Sequence, residues 1–148
     1  MTKIIARPYQ QEAVDRVLQL RSMAKLGTGL ESPTGTGKSL MAALLASKLA
    51  SEGRRVLILA HRNELVTGNA RAVEMLTGER CHIELNTEYK TDYVDWRELK
   101  GNGGIVSASV DTMQGKRLKR MPADLYTDII VDECHHTRPL SSKNFGYK

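Results

Sequence analysis

The stretch Gly35-Thr36-Gly37-Lys38-Ser39 constrains the fold of this chain more than any other part of its sequence. Glycines allow a backbone to curl so that successive N–H groups face one anion. A helix beginning near Gly37 would direct its free N–H groups and the positive end of its dipole toward the same point. The stretch therefore predicts a phosphate-binding loop, in which Lys38 reaches the β- and γ-phosphates and Ser39 ligates Mg²⁺. The alternative is a Gly/Thr turn before an ordinary helix.

The residues around this loop predict a strand, a helix and a second strand. Residues 29–32 are expected to form the strand that enters the loop, although Gly29 and Glu31 flank a single apolar residue. Residues 38–50 carry an apolar stripe at helical spacing, and Gly53 suits the end of that helix. Residues 56–60 form a continuous apolar run, which is typical of a parallel strand covered on both faces. The pattern is that of a βαβ unit.

Composition restricts the class of protein more weakly. The 148 residues are 41% hydrophobic and 26% charged, which suits one globular domain. Lys and Arg number 22 against 17 Asp and Glu, and the net charge of +5 is compatible with a polyanionic partner without establishing one. Two cysteines, Cys81 and Cys134, argue against a disulfide scaffold. With neither a membrane-spanning run nor a signal-peptide core, the expectation is a cytoplasmic protein without a membrane partner.

Two features around the loop point to one family. The loop begins with Ser32, where the general pattern has Gly, and continues Pro-Thr-Gly-Thr-Gly-Lys-Ser, which resembles the first motif of the superfamily 2 helicases. Upstream, Arg7-Pro8-Tyr9-Gln10 resembles the Q motif, although it could also be only the start of an amphipathic helix. The resemblance implies that Gln10 reads the adenine edge, with Arg7 beside the base. The implied ATP-binding residues are Arg7, Gln10, Thr34, Gly35, Thr36, Gly37, Lys38 and Ser39.

A second anchor for the resemblance is Asp132-Glu133-Cys134-His135-His136, which follows a predicted buried strand. Two carboxylates at such a strand end are costly unless they hold a cation or activate water. The string resembles the Asp-Glu-x-His box in the form found in restriction-type translocases and DNA repair helicases. That resemblance implies that Asp132 holds Mg²⁺ through water, Glu133 polarises the attacking water and His135 links the ATP site to neighbouring motifs.

A zinc site is the competing interpretation of the cysteines and histidines. Cys81-His82 and Cys134-His135-His136 together supply thiols and imidazoles, which zinc accepts as ligands. Neither pair has the usual spacing of two to four residues between cysteines. The ATP-site interpretation already accounts for the second string.

Residues at two further strand ends are candidates for nucleic-acid contacts. His61 and Arg62 resemble motif Ia, and Ser109 with Thr112 resembles motif Ic, so the resemblance implies contacts from all four to the backbone of DNA. A solvated loop and a Ser/Thr-capped helix start are the structural alternatives. The basic cluster that contains Lys116 and Arg117 is either a solvated face or an extension of the same surface.

The predicted fold is an α/β RecA-like P-loop NTPase domain spanning residues 1–148, with a mainly parallel sheet and helices on both faces. The best strands are 29–32, 55–60, 104–109 and 127–132, with a short strand within 80–85 and a short helix within 88–99. One helix should open at Arg7 and end at Gly27. Another should be capped by Asn63, continue to about Leu76 and end at Gly78.

The function implied by the resemblance is that of a motor domain. In the complete protein it would couple MgATP hydrolysis to DNA unwinding or translocation. Relatives continue into a second RecA-like domain that carries arginine fingers, so this chain alone is expected to hydrolyse ATP slowly. Two alternatives remain, namely a stand-alone nucleotide- or DNA-binding module without turnover, and a P-loop kinase.

Overall fold

The computed structural model describes residues 4–23, 27–33, 35–85, 104–114, 119 and 121–133. In chain order the elements are α1 (Pro8–Ser22), α2 (Lys38–Ser51), β1 (Arg55–Ala60), α3 (Asn63–Thr77), β2 (His82–Glu84), β3 (Gly104–Ser109) and β4 (Asp128–Val131). None of the helices in these ranges is long and apolar enough to cross a membrane.

The four strands form one sheet in the order β2-β3-β1-β4, and every pair is parallel. Strand β1 lies in the interior of this sheet, where its apolar side chains are fully buried on both faces. Val56 and Ile58 belong to one hydrophobic core, whereas Leu57 and Leu59 belong to the other. This alternation explains why the sequence of β1 is continuously apolar.

The two faces of the sheet are covered differently. On the first face, α2 and α3 contribute small and apolar side chains such as Ala43, Ala46 and Val73, and Leu18 of α1 packs against the same core. On the second face, the segments around Met113 and Leu125 cover the sheet. The α/β class and the parallel sheet are confirmed. The helix predicted within 88–99 lies outside the described residues.

Three boundary predictions are wrong for local reasons. Residues 29–32 form no strand, and Leu30 is half exposed, because a single apolar side chain between Gly29 and Glu31 gives this segment little to bury. Helix α1 ends at Ser22, well before Gly27.

The start of α3 also differs from the prediction. The N-cap is Arg62, and Asn63 is the first helical residue, so the Asn63 side chain does not cap the helix. Gly78 ends α3 in the left-handed conformation, as predicted (φ 76°).

The connections place the N-termini of two helices, α2 and α3, at the carboxyl edge of the sheet. Helix α2 packs on β1 and joins it through only three residues, 52–54, so the two run antiparallel. Since α2 and β1 are each about 20 Å long, the start of α2 lies level with the end of β1. Only two residues, 61 and 62, separate Ala60 from helix α3, which therefore starts at the same edge.

The opposite end of β4 is fixed by an ion-pair cluster. The Asp128 carboxylate accepts hydrogen bonds from Arg21 of α1, Arg54 and Thr127, and its side chain is largely buried. Burial alone would raise the pKa of Asp128, but the hydrogen bonds and the two guanidinium charges outweigh it, so the pKa lies below the usual 3.8. Helix α1 is thus tied to the first residue of β4.

We expect Asp128→Asn to lower the free energy of unfolding by about 1.5–3 kcal/mol near neutral pH, since it weakens hydrogen bonds between charged groups. The folded-state pKa is depressed, so the contribution of the carboxylate is complete above pH 3.8 and disappears as the pH falls through the lower folded-state pKa. Urea unfolding at a series of pH values measures the difference between variant and wild type. As a control, Asp15→Asn removes the exposed partner of Lys48 and should change little. An equally large Asp128→Asn effect below and above this pH range would contradict the assignment.

Candidate nucleotide and nucleic-acid sites

The phosphate loop closes on itself before α2 begins. Gly35 and Gly37 both have positive φ, 82° and 78°, which glycine adopts without strain. The Thr36 hydroxyl donates to the carbonyl of Pro33 at 2.7 Å and shares a second hydrogen bond with the Ser32 hydroxyl. Gly37 is the N-cap of α2, so the unpaired N–H groups at the start of this helix follow the loop directly. This is the geometry that binds phosphate groups.

Helix α1 supports the loop from outside. Tyr9 Oη and Gln10 Nε2 both donate to the Thr36 carbonyl, at 2.9 and 3.0 Å. Since a trans peptide group is planar, fixing this carbonyl also fixes the N–H of Gly37, which points in the opposite direction. The first turn of α1 therefore sets the orientation of a peptide group in the phosphate loop. Nothing in the sequence indicates this role of Tyr9, because a tyrosine in the first turn of a helix has many possible contacts.

Both the oxygen and the nitrogen of the Gln10 side-chain amide form hydrogen bonds within the protein. Its side chain is 3% exposed, and Oε1 accepts a hydrogen bond from the Arg7 N–H at 2.9 Å while Nε2 binds Thr36. A role in reading adenine would require one of these bonds to exchange, and it remains a prediction. Arg7 is exposed at the N-cap of α1. Thr34 lies outside the described residues.

Lys38 and Ser39 are the first two residues of α2 and are partly exposed. No residue within the described ranges forms an ion pair or hydrogen bond with the Lys38 ammonium group. The predicted phosphate-binding side chains thus lie at the N-terminus of α2, directly after the loop.

The acidic residues lie at the same edge of the sheet, just beyond β4. The backbone N–H of Asp132 donates to Leu59 of β1 at 2.8 Å, which places its carboxylate next to the end of the central strand. Glu133 has a φ of 52° and is the only non-glycine residue with positive φ among those described. Such a conformation is strained for a side chain of this size, and strain of this kind clusters at functional sites. His135 lies outside the described residues.

A hydroxyl and a carboxylate are oxygen ligands of the kind that Mg²⁺ prefers, so Ser39 and Asp132 have suitable chemistry. Asp132 is 9% exposed and accepts one side-chain hydrogen bond in the described part of the chain, from Asn69 Nδ2 to its Oδ2 at 3.3 Å. Its other oxygen, Oδ1, has no hydrogen-bond partner among the described residues. No described hydrogen bond connects Ser39 directly with Asp132. Asn69 was not predicted as a site residue, since nothing in the sequence separates it from other polar residues of α3.

The predicted nucleic-acid residues fall into two groups. His61 and Arg62 are exposed immediately after β1, where they are free to contact a ligand. Ser109 and Thr112 are buried and share a hydrogen bond of 2.6 Å between their hydroxyls, and Ser109 Oγ also accepts the Thr112 N–H. The second pair thus closes the turn after β3, and its phosphate contact remains a prediction. Lys116 and Arg117 lie outside the described residues.

Cys81 is a core residue in the first hydrophobic core. Burial and the nearby negative charge of Glu74 raise the pKa of its thiol to about 12, despite a backbone hydrogen bond that acts in the opposite direction. Within the described residues, no group of three His, Cys, Asp or Glu side chains is arranged to hold a metal ion. Cys134, His135 and His136 lie outside those residues.

A parallel sheet with a candidate phosphate loop at the start of a neighbouring helix is the α/β arrangement of a RecA-like domain. The family model described as "Type III restriction enzyme, res subunit" matches residues 3–145, and the chain belongs to this family. It is a superfamily 2 helicase-type ATPase module.

Similar proteins extend well beyond the matched region. The chain is 28% identical over 141 residues to IRC3 of Saccharomyces cerevisiae, which is assigned by its name to the ATP-dependent helicases. The match covers 90% of the chain and 19% of that protein. Endoribonuclease Dicer homologs 2b and 2a of Oryza sativa subsp. japonica are each 28% identical over 149 residues, covering 92% of the chain and 10% of the relative. The chain therefore spans only a tenth to a fifth of these relatives.

We expect Gly37→Ala to weaken ATP binding at least tenfold. A Cβ at this position would lie 2.5 Å from Gln10 Nε2, on a backbone with a φ of 78°, so either the loop shifts or Gln10 gives up its hydrogen bond to the Thr36 carbonyl. Gly53→Ala is the matched control, because φ is 77° there and a Cβ would meet nothing within 4 Å. Both variants should lose stability from backbone strain, about 1–2 kcal/mol. Calorimetry with ATP should show reduced affinity only for Gly37→Ala, and equal losses in both variants would argue against a role for the loop.

Proposed function

We propose that the chain is the ATP-binding motor module of a superfamily 2 helicase or translocase that uses MgATP and acts on DNA. The observation that carries the proposal is the phosphate loop, whose Thr36–Gly37 peptide group is held by Tyr9 and Gln10 at the start of α2. The acidic residues Asp132 and Glu133 follow β4 at the same edge of the sheet. Such a pairing of phosphate-binding and acidic groups is what phosphoryl transfer to water requires.

Each residue then has a distinct role. Lys38 neutralises charge on the β- and γ-phosphates, and the N–H groups of the loop bind phosphate oxygens. Ser39 and Asp132 would hold Mg²⁺, which neutralises the charge that develops on the phosphates. Glu133 orients the attacking water and accepts its proton. His135 is assigned, by resemblance alone, to contacts with neighbouring motifs.

Their exposure supports two of the predicted nucleic-acid residues as contacts to a phosphate backbone. His61 and Arg62 are exposed at the carboxyl end of the central strand, beside the start of α3. The net charge of +5 favours a polyanion but does not distinguish DNA from RNA. Because two similar proteins are named endoribonucleases, RNA is the second candidate ligand.

A nucleotide- or DNA-binding module without turnover is the main alternative function. The strained φ of Glu133 is compatible with an enzyme, since strain of this kind clusters at active sites, but ligand-binding clamps carry it too. A kinase is disfavoured by the similarity to helicases. Turnover by these 148 residues alone is expected to be slow, because the resemblance assigns arginine fingers, worth about 10³–10⁵ in rate, to a second RecA-like domain.

The proposal predicts that Lys38→Ala reduces ATP affinity at least tenfold, since a charge-assisted contact to phosphate is worth about 1.5–3 kcal/mol. Isothermal calorimetry with ATP and Mg²⁺ measures the change. Lys48→Ala is the control, because Lys48 is on the same helix but pairs with exposed Asp15. Unchanged ATP affinity in Lys38→Ala, or an equal loss in both variants, would refute the assigned site.

For nucleic acid, we expect Arg62→Ala to weaken binding of single-stranded DNA and to reduce the salt dependence of affinity by about one counterion. Fluorescence anisotropy over a range of salt concentrations gives both quantities. Arg71→Ala removes an exposed arginine further along the same helix and should have a smaller effect.

The same titrations with double-stranded DNA and RNA determine which ligand the module prefers. Affinity that does not respond to salt, or an Arg62→Ala variant identical to wild type, would contradict a backbone contact at this position. Tighter binding of RNA than of DNA would favour the second candidate ligand.

A further inference from the structure

Asn69 forms an unusual contact between α3 and the acidic end of β4. Its side chain is completely buried, and Nδ2 donates to Asp132 Oδ2 at 3.3 Å. An ionised carboxylate can only accept hydrogen bonds, so the amide nitrogen must face Asp132 and the amide oxygen must face away. The orientation of the Asn69 amide is therefore determined by Asp132.

This orientation leaves the other end of the amide unsatisfied. Asn69 Oδ1 is buried and has no hydrogen-bond partner in the described part of the chain. Leaving a buried polar atom unpaired costs free energy, and an apolar side chain of similar size would avoid that cost. A residue that served only to pack α3 against the sheet would be more stable as leucine. The polar group therefore has a use other than packing.

We propose that Asn69 is a positioning residue that orients the Asp132 carboxylate for cation binding. By holding Oδ2, it fixes the rotation of the carboxylate and leaves Oδ1 directed to the ligand. The proposal rests on the function proposed above, in which Asp132 holds Mg²⁺ together with the nucleotide. Hydrogen-bond partners of metal-ligating groups typically change metal affinity about 10–100-fold when they are removed.

The chain contains a second polar contact between α3 and the sheet that lies apart from Asp132. Ser107 Oγ, on β3, donates to the Val66 carbonyl of α3 at 2.9 Å, and this contact is also buried. Ser107→Ala therefore removes a buried hydrogen bond to the same helix without touching the acidic residue. The Ser107→Ala variant therefore shows how ligand binding changes when α3 is destabilised without a change at Asp132.

The test measures ADP binding by calorimetry, first with EDTA and then over a titration of MgCl₂, for wild type and for Asn69→Leu. We expect unchanged affinity for ADP without Mg²⁺, and a rise of at least tenfold in the Mg²⁺ concentration that gives half of the Mg²⁺-dependent gain in affinity. The melting temperature of Asn69→Leu should equal or exceed that of wild type. Ser107→Ala should show a lower melting temperature and an unchanged Mg²⁺ midpoint.

The outcomes separate this inference from the function on which it rests. If Mg²⁺ does not strengthen ADP binding by wild type, the proposed MgATP site is wrong and the role of Asn69 falls with it. If wild type responds to Mg²⁺ and Asn69→Leu has the same midpoint, only the positioning role is overturned. A loss of Mg²⁺-free ADP binding in Asn69→Leu would likewise overturn it, since the effect would not be specific to the cation.

A second variant covers a failure of Asn69→Leu to fold. Asn69→Ser keeps a polar side chain that can bond within the helix to the carbonyl of Leu65, one turn earlier. Its hydroxyl is too short to replace the contact with Asp132. The same shift of the Mg²⁺ midpoint is expected, and an unshifted midpoint overturns the proposal.

Discussion

The hydrogen bonds that β1 forms with β3 on one side and β4 on the other hold the candidate site together. In this parallel register Ala60 lies opposite Ser109, and Leu59 lies opposite Val131. Three strands therefore end at the same level, and the polar residues that follow them meet at one edge. Burial of β1 on both faces fixes this register, because a shift by one residue would exchange the side chains that face the two cores.

Helix α1 contacts residues at both ends of the strands. Its first turn holds the Thr36 carbonyl in the phosphate loop, and its last turn pairs with Asp128 at the start of β4. Between these ends, Leu18 packs against the first core. A loop rich in glycine is intrinsically mobile, so contacts from a rigid helix with several separate attachments reduce the number of conformations available to the loop.

The sequence predicted the elements whose local pattern and tertiary role agree. The run 56–60 could hardly be other than a buried strand, and the stripe of α2 matches the core that it contacts. The prediction failed for 29–32, where one leucine cannot anchor a strand, and for the Asn63 cap, where Arg62 adopts the extended N-cap conformation instead. These positions carry weak local preferences, so tertiary contacts decide them.

Within the candidate site, the loop was predictable and its support was not. Two glycines one residue apart, followed by Lys38, identify the loop by their spacing alone, whereas the contacts of Tyr9 and Asn69 depend on where α1 and α3 pack in three dimensions. The strain at Glu133 is also invisible in the sequence, since glutamate has no preference for positive φ. A single sequence specifies the chemistry of such a site better than its geometry.

The ion pair between Arg21 and Asp128 has a consequence for how this module folds. The two residues are 107 positions apart, so during synthesis α1 leaves the ribosome long before its partner exists. Until β4 has been synthesised, after β1 and β3, helix α1 lacks its contact with Asp128. Contacts of such long sequence separation slow folding, because the entropy of closing the intervening chain is lost before the contacts form. The attachment of the last turn of α1 to β4 is therefore expected to form late in folding.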